Sequence, residues 1–246
     1  MILLIDWGNT YIKSLQVDSL ETVSLSKTPV QTFTEPTELV AQLDSVFERI
    51  LIASVRSDAD NQLLLNLLAQ KGDQVEFAQS SLSACGVSCA YSNPTQLGVD
   101  RWLGVIAAAQ LATEIAVISI GSAITLDIVK HGNHLGGQII PGRRLLLATL
   151  KQTGRVQAAD KPILSPDFVL GKSTTECVHF GVNALIAGYL SLAISETERV
   201  HKIHQFIVTG GGGDFWSKQL GKAGRVVTYR PALVFEGLSQ LYRALQ

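Results

Sequence analysis

The chain has 246 residues, 46% of them hydrophobic and 17% charged, which is enough to bury a substantial core and excludes a disordered protein. A formal net charge of -1 with no basic block argues against nucleic acid as the main partner. The apolar start has no basic region and is interrupted by Asp6, and no apolar run reads as long enough to span a membrane, so neither a secretory signal nor a membrane partner is expected and the location is cytoplasmic.

In chain order, Ile2–Asp6, Tyr11–Val17 and Val23–Leu25 read as short antiparallel strands separated by tight turns. A helix is predicted from Glu35 to Arg49, a strand over Ile50–Val55, a helix capped by Asp58 or Asp60 and running to about Lys71, and a strand over Gln74–Ala78. The Ser-, Gly- and Asn-rich stretch 79–96 reads as an ordered connection, and Gly98-Val99-Asp100-Arg101 leads into a further helix. From about Glu114 the pattern starts again. Strands are predicted over Ala116–Ile120, Ile124–Lys130 and Leu135–Ile140, and a helix from Gly142 to Gln152. A long apolar helix runs from Thr174 or Thr175 to about Ser195. The strand Gln205–Thr209 runs into Gly210–Gly213, and a helix from Asp214, the strand Val226–Tyr229 and a helix over Ala232–Leu245 end the chain. Placing Gly121 beneath Gly8 aligns the two strand–glycine–strand units, which implies one duplication with domains at 1–114 and 115–246.

The stretch Asp6-Trp7-Gly8-Asn9-Thr10-Tyr11-Ile12-Lys13 allows two readings. It is an ordinary hairpin, or it is a phosphate-binding hairpin in which Gly8 admits an anion close to the backbone, Thr10 and Lys13 add a donor and a charge, and Asp6 holds a hydrated metal. Asp100 and Thr174 are each a helix N-cap or a functional group. The odd cysteine count (Cys85, Cys89, Cys177) gives no disulfide framework, and at least two of the three read as buried small hydrophobes. The five histidines, His131, His134, His179, His201 and His204, form no convincing ligand set.

Two halves that each open with such a hairpin suggest the actin, hexokinase and Hsp70 class, an α/β fold of duplicated ribonuclease H-like domains with mixed sheets flanked by helices and a nucleotide cleft between them. Four motifs narrow this: Asp6-x-Gly8-Asn9-Thr10-x-x-Lys13, Tyr91-x-Asn93-Pro94-x-x-Leu97-Gly98-x-Asp100-Arg101, Gly136-Gly137-x-Ile139-x-Pro141-Gly142 and Gly171-Lys172-Ser173-Thr174. With the weaker Thr209-Gly210-Gly211, they resemble type III pantothenate kinases in order and spacing over almost the whole chain.

The resemblance implies ATP-dependent phosphorylation of pantothenate, the first step of coenzyme A synthesis, by a homodimer. It implies Asp100 as general base and Mg2+ brought with ATP at Asp6. The nucleotide contacts it implies are Asp6, Trp7, Gly8, Asn9, Thr10, Tyr11, Ile12 and Lys13, with Gly121 and Ser122 of the second hairpin. The pantothenate contacts are Tyr91, Gly98, Val99, Asp100, Arg101 and Thr174, the guanidinium of Arg101 suiting the substrate carboxylate and Thr174 reaching it from a neighbouring subunit. One position departs from the family pattern. The family usually has Asp where this chain has Ser119, and it uses that carboxylate for potassium or ammonium, so the monovalent-cation site is in doubt. Ser119 also motivates an alternative, a catalytically impaired relative acting as a regulatory or binding protein.

Overall fold

The computed structural model describes residues 1–21, 25, 28–72, 74–152, 163–165 and 167–245. The chain forms two compact units: 1–113 with 127–136 and 232–246, and 114–126 with 137–231. It therefore crosses between units more than once, where the sequence reading placed a single boundary after residue 114.

The first unit is built on a mixed five-stranded sheet of order β3-β2-β1-β4-β5, from β1 (Ile2–Trp7), β2 (Ile12–Val17), β3 (Gln31–Phe33), β4 (Arg49–Ser54) and β5 (Val75–Phe77). β1 and β2 are antiparallel, as are β2 and β3, whereas β1–β4 and β4–β5 are parallel. The third strand is therefore Gln31–Phe33. Of the predicted strand Val23–Leu25, residues 23 and 24 lie outside the described residues.

Alternation along β1 sorts its side chains between two cores. Leu3, Ile5 and Trp7 join Leu39, Phe47, Leu64 and Leu68 on the face of α1 (Pro36–Ala41) and α2 (Asp58–Leu68). Leu4 joins Leu15, Leu51, Leu103, Phe235 and Leu238 on the face of α3 (Val99–Ala109) and α7 (Leu233–Arg243). Asp6 shares the parity of Leu4, so the strand aims it at the α3 face. α3 and α7 pack closely, since a Cβ on Gly237 would lie 2.6 Å from the Leu103 carbonyl carbon. A methyl there collides with backbone, so glycine is required.

Two local expectations fail. The helix predicted over 35–49 ends at Ala41, because Phe47 leaves it to donate to the Lys71 carbonyl (2.7 Å) and bridge to Gly72. Ser57, not an aspartate, caps α2 by accepting from Asp60 N–H. Stretch 79–96 contains a small hairpin, β6 (Ser83–Ala84) and β7 (Val87–Ser88), turned by Cys85 (φ 51°) and Gly86 (φ 79°). Cys85 and Cys89 are half-buried and Cys177 is exposed, so the reading of two buried cysteines is corrected.

The second sheet has the order β12-β11-β8-β9-β10-β7-β6, with β8 (Glu114–Ile120), β9 (Ala123–Lys130), β10 (Asn133–Pro141), β11 (Phe206–Thr209) and β12 (Val227–Tyr229). Its run β12-β11-β8-β9-β10 repeats β5-β4-β1-β2-β3 position by position, the topological mark of a duplication. β8–β11 and β11–β12 are parallel, like their counterparts. α4 (Arg143–Lys151), α5 (Thr174–Glu196) and α6 (Gly213–Lys222) belong to this unit, and α5 continues as a π-turn, Thr197–His201.

The helix Thr174–His201 is long and apolar enough to cross a membrane by length and composition, which corrects the expectation that no run reaches that length. It was missed because Gly, Ser and Asn interrupt the apolar residues, although Cys177–Ser195 contains no Asp, Glu, Lys or Arg. Val182, Ile186, Leu190 and Ile194 are buried at helical spacing, as in an ordinary core helix.

Candidate active site

The first turn, residues 8–11, closes through Gly8 N–H donating to the Tyr11 carbonyl (3.0 Å). At its base, Asp6 and Lys13 are cross-strand partners in register, and their charged groups lie 3.6 Å apart. Trp7 and Ile12 are buried in the core of the α1/α2 face. Their side chains support the turn from below, so of the predicted nucleotide-binding stretch these two positions have only backbone to offer a ligand. Tyr11 is half exposed. Arg56, which the sequence reading did not single out, braces the turn: it donates to the Asn9 carbonyl (3.3 Å), lies 5.7 Å from the Trp7 ring centroid and pairs with Asp60 at 3.2 Å. A basic residue just after β4 was the available signal.

Asp100 sits in the first turn of α3, two residues past the N-cap Gly98, so it is not the cap. Its Oδ1 accepts from Arg101 N–H (2.9 Å) and curls back over Gly98, where a Cβ would stand 2.7 Å from that oxygen. This close approach is why a glycine precedes the aspartate by two. Asp6 and Asp100, far apart in sequence, are electrostatic neighbours in the fold. Burial pushes the Asp6 carboxyl up to about 6, Lys13 opposes this, and the Asp100 charge adds to it. Burial likewise raises Asp100, against the Arg101 N–H and guanidinium, with Asp127 adding a like charge. Burial raises the proton affinity of both carboxyls above the ordinary carboxylate range, which suits one of them to take up a proton and the other to meet a cation.

Arg101 is buried and already paired. Its Nε and Nη2 donate to Asp127 Oδ2 and Oδ1 at 2.9 and 2.6 Å, and Nη1 donates to the Tyr91 hydroxyl at 3.2 Å. Burial works against its charge, but the Asp127 carboxylate and the Tyr91 oxygen hold its pKa above the usual range. His134 completes the group, with Nε2 3.0 Å from Asp127 Oδ1 and its ring stacked on Tyr91. Asp127 and His134 are functional candidates that the sequence reading set aside. Their signal was a carboxylate and an imidazole flanking the tight turn at His131-Gly132. Val99 is packed in the core of the α3/α7 face.

In the second unit, the corresponding turn is shorter: β8 ends at Ile120 and β9 begins at Ala123, with Gly121 N–H donating to the Ala123 carbonyl (2.9 Å). Gly142 N–H donates to the Ser122 carbonyl at 2.9 Å, and a Cβ on Gly142 would lie 2.6 Å from that oxygen. Pro141-Gly142 therefore supports the turn. Gly210 (φ 86°) and Gly212 pack against Ile120, Gly212 N–H donating to its carbonyl at 2.9 Å, which makes Gly210–Gly213 a fitted loop. Ser119 pairs in register with Thr209, so the position offers a hydroxyl where a cation site needs charge. Ser173, not Thr174, caps α5 by accepting from Glu176 N–H at 3.2 Å, leaving Thr174 as the first, exposed residue of the helix.

The duplicated strand order defines an actin-like α/β fold. Solved structures agree on the fold: a Baf-family protein from Campylobacter jejuni (TM-score 0.59, 21% identity, covering 98% of this chain and 97% of that one) and a candidate 2-dehydro-3-deoxygalactonokinase from Sinorhizobium meliloti (TM-score 0.60, 13% identity, 100% and 99%). Among curated proteins, type III pantothenate kinases of Pseudoalteromonas atlantica (35% identity, 89% of both chains) and Chromohalobacter salexigens (35%, 98% of this chain and 87% of that one) are similar throughout. The family profile described as type III pantothenate kinase matches residues 2–196, and the chain belongs to that family.

Proposed function

We propose that this protein transfers the γ-phosphoryl group of ATP to the primary hydroxyl of pantothenate, the first step of coenzyme A synthesis. The observation that carries the reading is the pairing of buried Asp6 with half-buried Asp100, electrostatic neighbours that β1 and the start of α3 bring beside the turn Gly8–Tyr11. Asp100 accepts the hydroxyl proton, a task its raised pKa suits. Backbone around Gly8, Asn9 and Thr10, with the Lys13 ammonium, holds phosphate oxygens, and within the second unit the turn Gly121–Ser122 is read, by family resemblance, as a phosphate-binding turn of its own. Tyr91, Gly98, Asp100 and Arg101 form the pantothenate pocket, and Thr174 adds a contact from a second subunit. Because Asp127 neutralises Arg101, the guanidinium reads the substrate through its remaining N–H groups and not as a free cation.

A divalent cation fits Asp6, since two neighbouring carboxyls with one lysine leave a place for positive charge. Among the described residues no cluster of three or more His, Cys, Asp or Glu could hold a metal alone; a Mg2+ ion brought with the nucleotide would be held by Asp6. When bound, the ion offsets charge on the phosphates. The monovalent cation does not fit: Ser119 gives it no carboxylate. The exposed Leu185 and Leu192, two turns apart on α5, support a homodimer, and the whole reading places the enzyme in the cytoplasm. The test is ATP-dependent phosphorylation of pantothenate by the purified chain beside Asp100→Asn. Absence of turnover in the wild type defeats the reading, and full activity in Asp100→Asn removes the base.

A further inference from the structure

We infer that Asp127 and His134, neither assigned above to any ligand, are positioning residues that fix Arg101 and Tyr91 in the pose that meets the acceptor substrate. The inference rests on the pantothenate kinase reading and names what holds its pocket together.

Four side chains close a ring of contacts. Arg101 grips Asp127 through two N–H groups, His134 meets the same carboxylate through Nε2, Tyr91 stacks on His134 with ring centroids 6.3 Å apart and planes 11° apart, and the Tyr91 oxygen accepts from Arg101 at 3.2 Å. The His134 and Asp127 side chains are 0% and 2% exposed. Ala90 N–H lies 3.5 Å from His134 Nδ1, and the tautomer with its proton on Nε2, facing Asp127, gives both ring nitrogens a partner. The Asp127 carboxylate and the Arg101 guanidinium offset one another's charge. A fully satisfied buried network of this kind holds its members to one geometry.

Its geometry matters because of what hangs on it. Tyr91 belongs to an irregular connection, where nothing in the backbone ladder fixes its ring. His134 holds the face of that ring and Arg101 holds its hydroxyl. Arg101 in turn follows Asp100 directly, and its N–H is the donor to Asp100 Oδ1. His134 thus acts through Tyr91 and Asp127 without touching substrate. A plain stabilising network would lower the folded fraction and leave the two substrates equally affected. A positioning network affects the acceptor alone.

The experiment is steady-state kinetics of the full chain with each substrate varied in turn. His134→Ala is expected to raise the KM for pantothenate about tenfold or more, with the KM for ATP within about twofold of wild type. His134→Gln, whose side-chain N–H replaces Nε2–H toward Asp127, should recover part of the loss, and Tyr91→Phe should raise the same KM. Should His134→Ala fail to fold, His134→Gln and Tyr91→Phe decide the matter by the same selectivity. Equal shifts in both KM values, or an unchanged pantothenate KM in the folded variants, overturn the positioning role while wild-type turnover leaves the kinase reading standing. Absence of wild-type turnover removes both.

Discussion

Asp6 is kept at a cost to the folded state, and Asp6→Asn measures it. With its pKa raised from 3.8 to about 6, the folded protein binds the Asp6 proton more tightly than the unfolded chain does. Stability from this group is therefore full below about pH 4 and lost as pH rises to about 6, the reverse of a salt-bridged aspartate. The shift of roughly two units corresponds to about 3 kcal/mol at neutral pH. Asparagine imitates the neutral acid, and the attraction of Lys13 is already contained in the net shift. Asp6→Asn without ligand should therefore be more stable at pH 7.5 by up to about 3 kcal/mol, raising the melting temperature by about 6–12 °C for a chain of this size. At pH 5 the gain should fall to about half, since much of the penalty accrues between pH 5 and 6. Mg-ATP should stabilise the wild type and leave the variant nearly unmoved, and activity should drop about 100-fold or more. Differential scanning fluorimetry at the two pH values, with and without Mg-ATP, reads all of this. A variant less stable at pH 7.5, or equally stabilised at both pH values, refutes the reasoning.

Three further outcomes are expected. Asp100→Asn should lower kcat by about 10²–10⁴-fold with little change in the KM for ATP, and wild-type kcat should fall on the acid side as the raised carboxyl protonates, both measured by a coupled ADP assay. Wild-type turnover should be the same in potassium and in a bulky organic cation, and Ser119→Asp should introduce a potassium dependence. Strict potassium dependence of the wild type would contradict the reading of that position. Gly142→Ala drives a methyl into the Ser122 carbonyl and should cost about 1–3 kcal/mol, with a raised KM for ATP if the second turn holds phosphate. Thermal melts and ATP titrations check it.

What the sequence displayed and what it hid divide along the range of the interactions. The alternation Leu3, Leu4, Ile5, Asp6, Trp7 already determines that Asp6 and Trp7 face opposite ways. Trp7 and Ile12, which the resemblance names among the nucleotide contacts, prove to be core residues, and for Trp7 the strand period carried that signal. The Gly98 spacing before Asp100 was legible as a motif, while its reason, an oxygen folded back over the glycine, needed coordinates. The helix predicted to Arg49 had a sound apolar pattern. It ends early because Phe47 is claimed by Lys71 and Gly72, a contact no local window contains.

The same limit explains the largest change in the site. Arg101 beside Asp100 looked like a cation available to a carboxylate, because its partner arrives from β9 and that partner's second donor from β10. Once Asp127 is opposite, a free guanidinium would have to be bought out of a bidentate buried pair, and breaking such a pair costs about 3–5 kcal/mol. A single substrate carboxylate that met only the guanidinium, leaving Asp127 unpaired, would not offset that cost. Under the proposed function the arrangement that costs least leaves the pair intact as a rigid edge, and the acceptor would then be recognised by the orientation of Tyr91 and the remaining Arg101 N–H groups, with Asp6 and Asp100 as the chargeable centre.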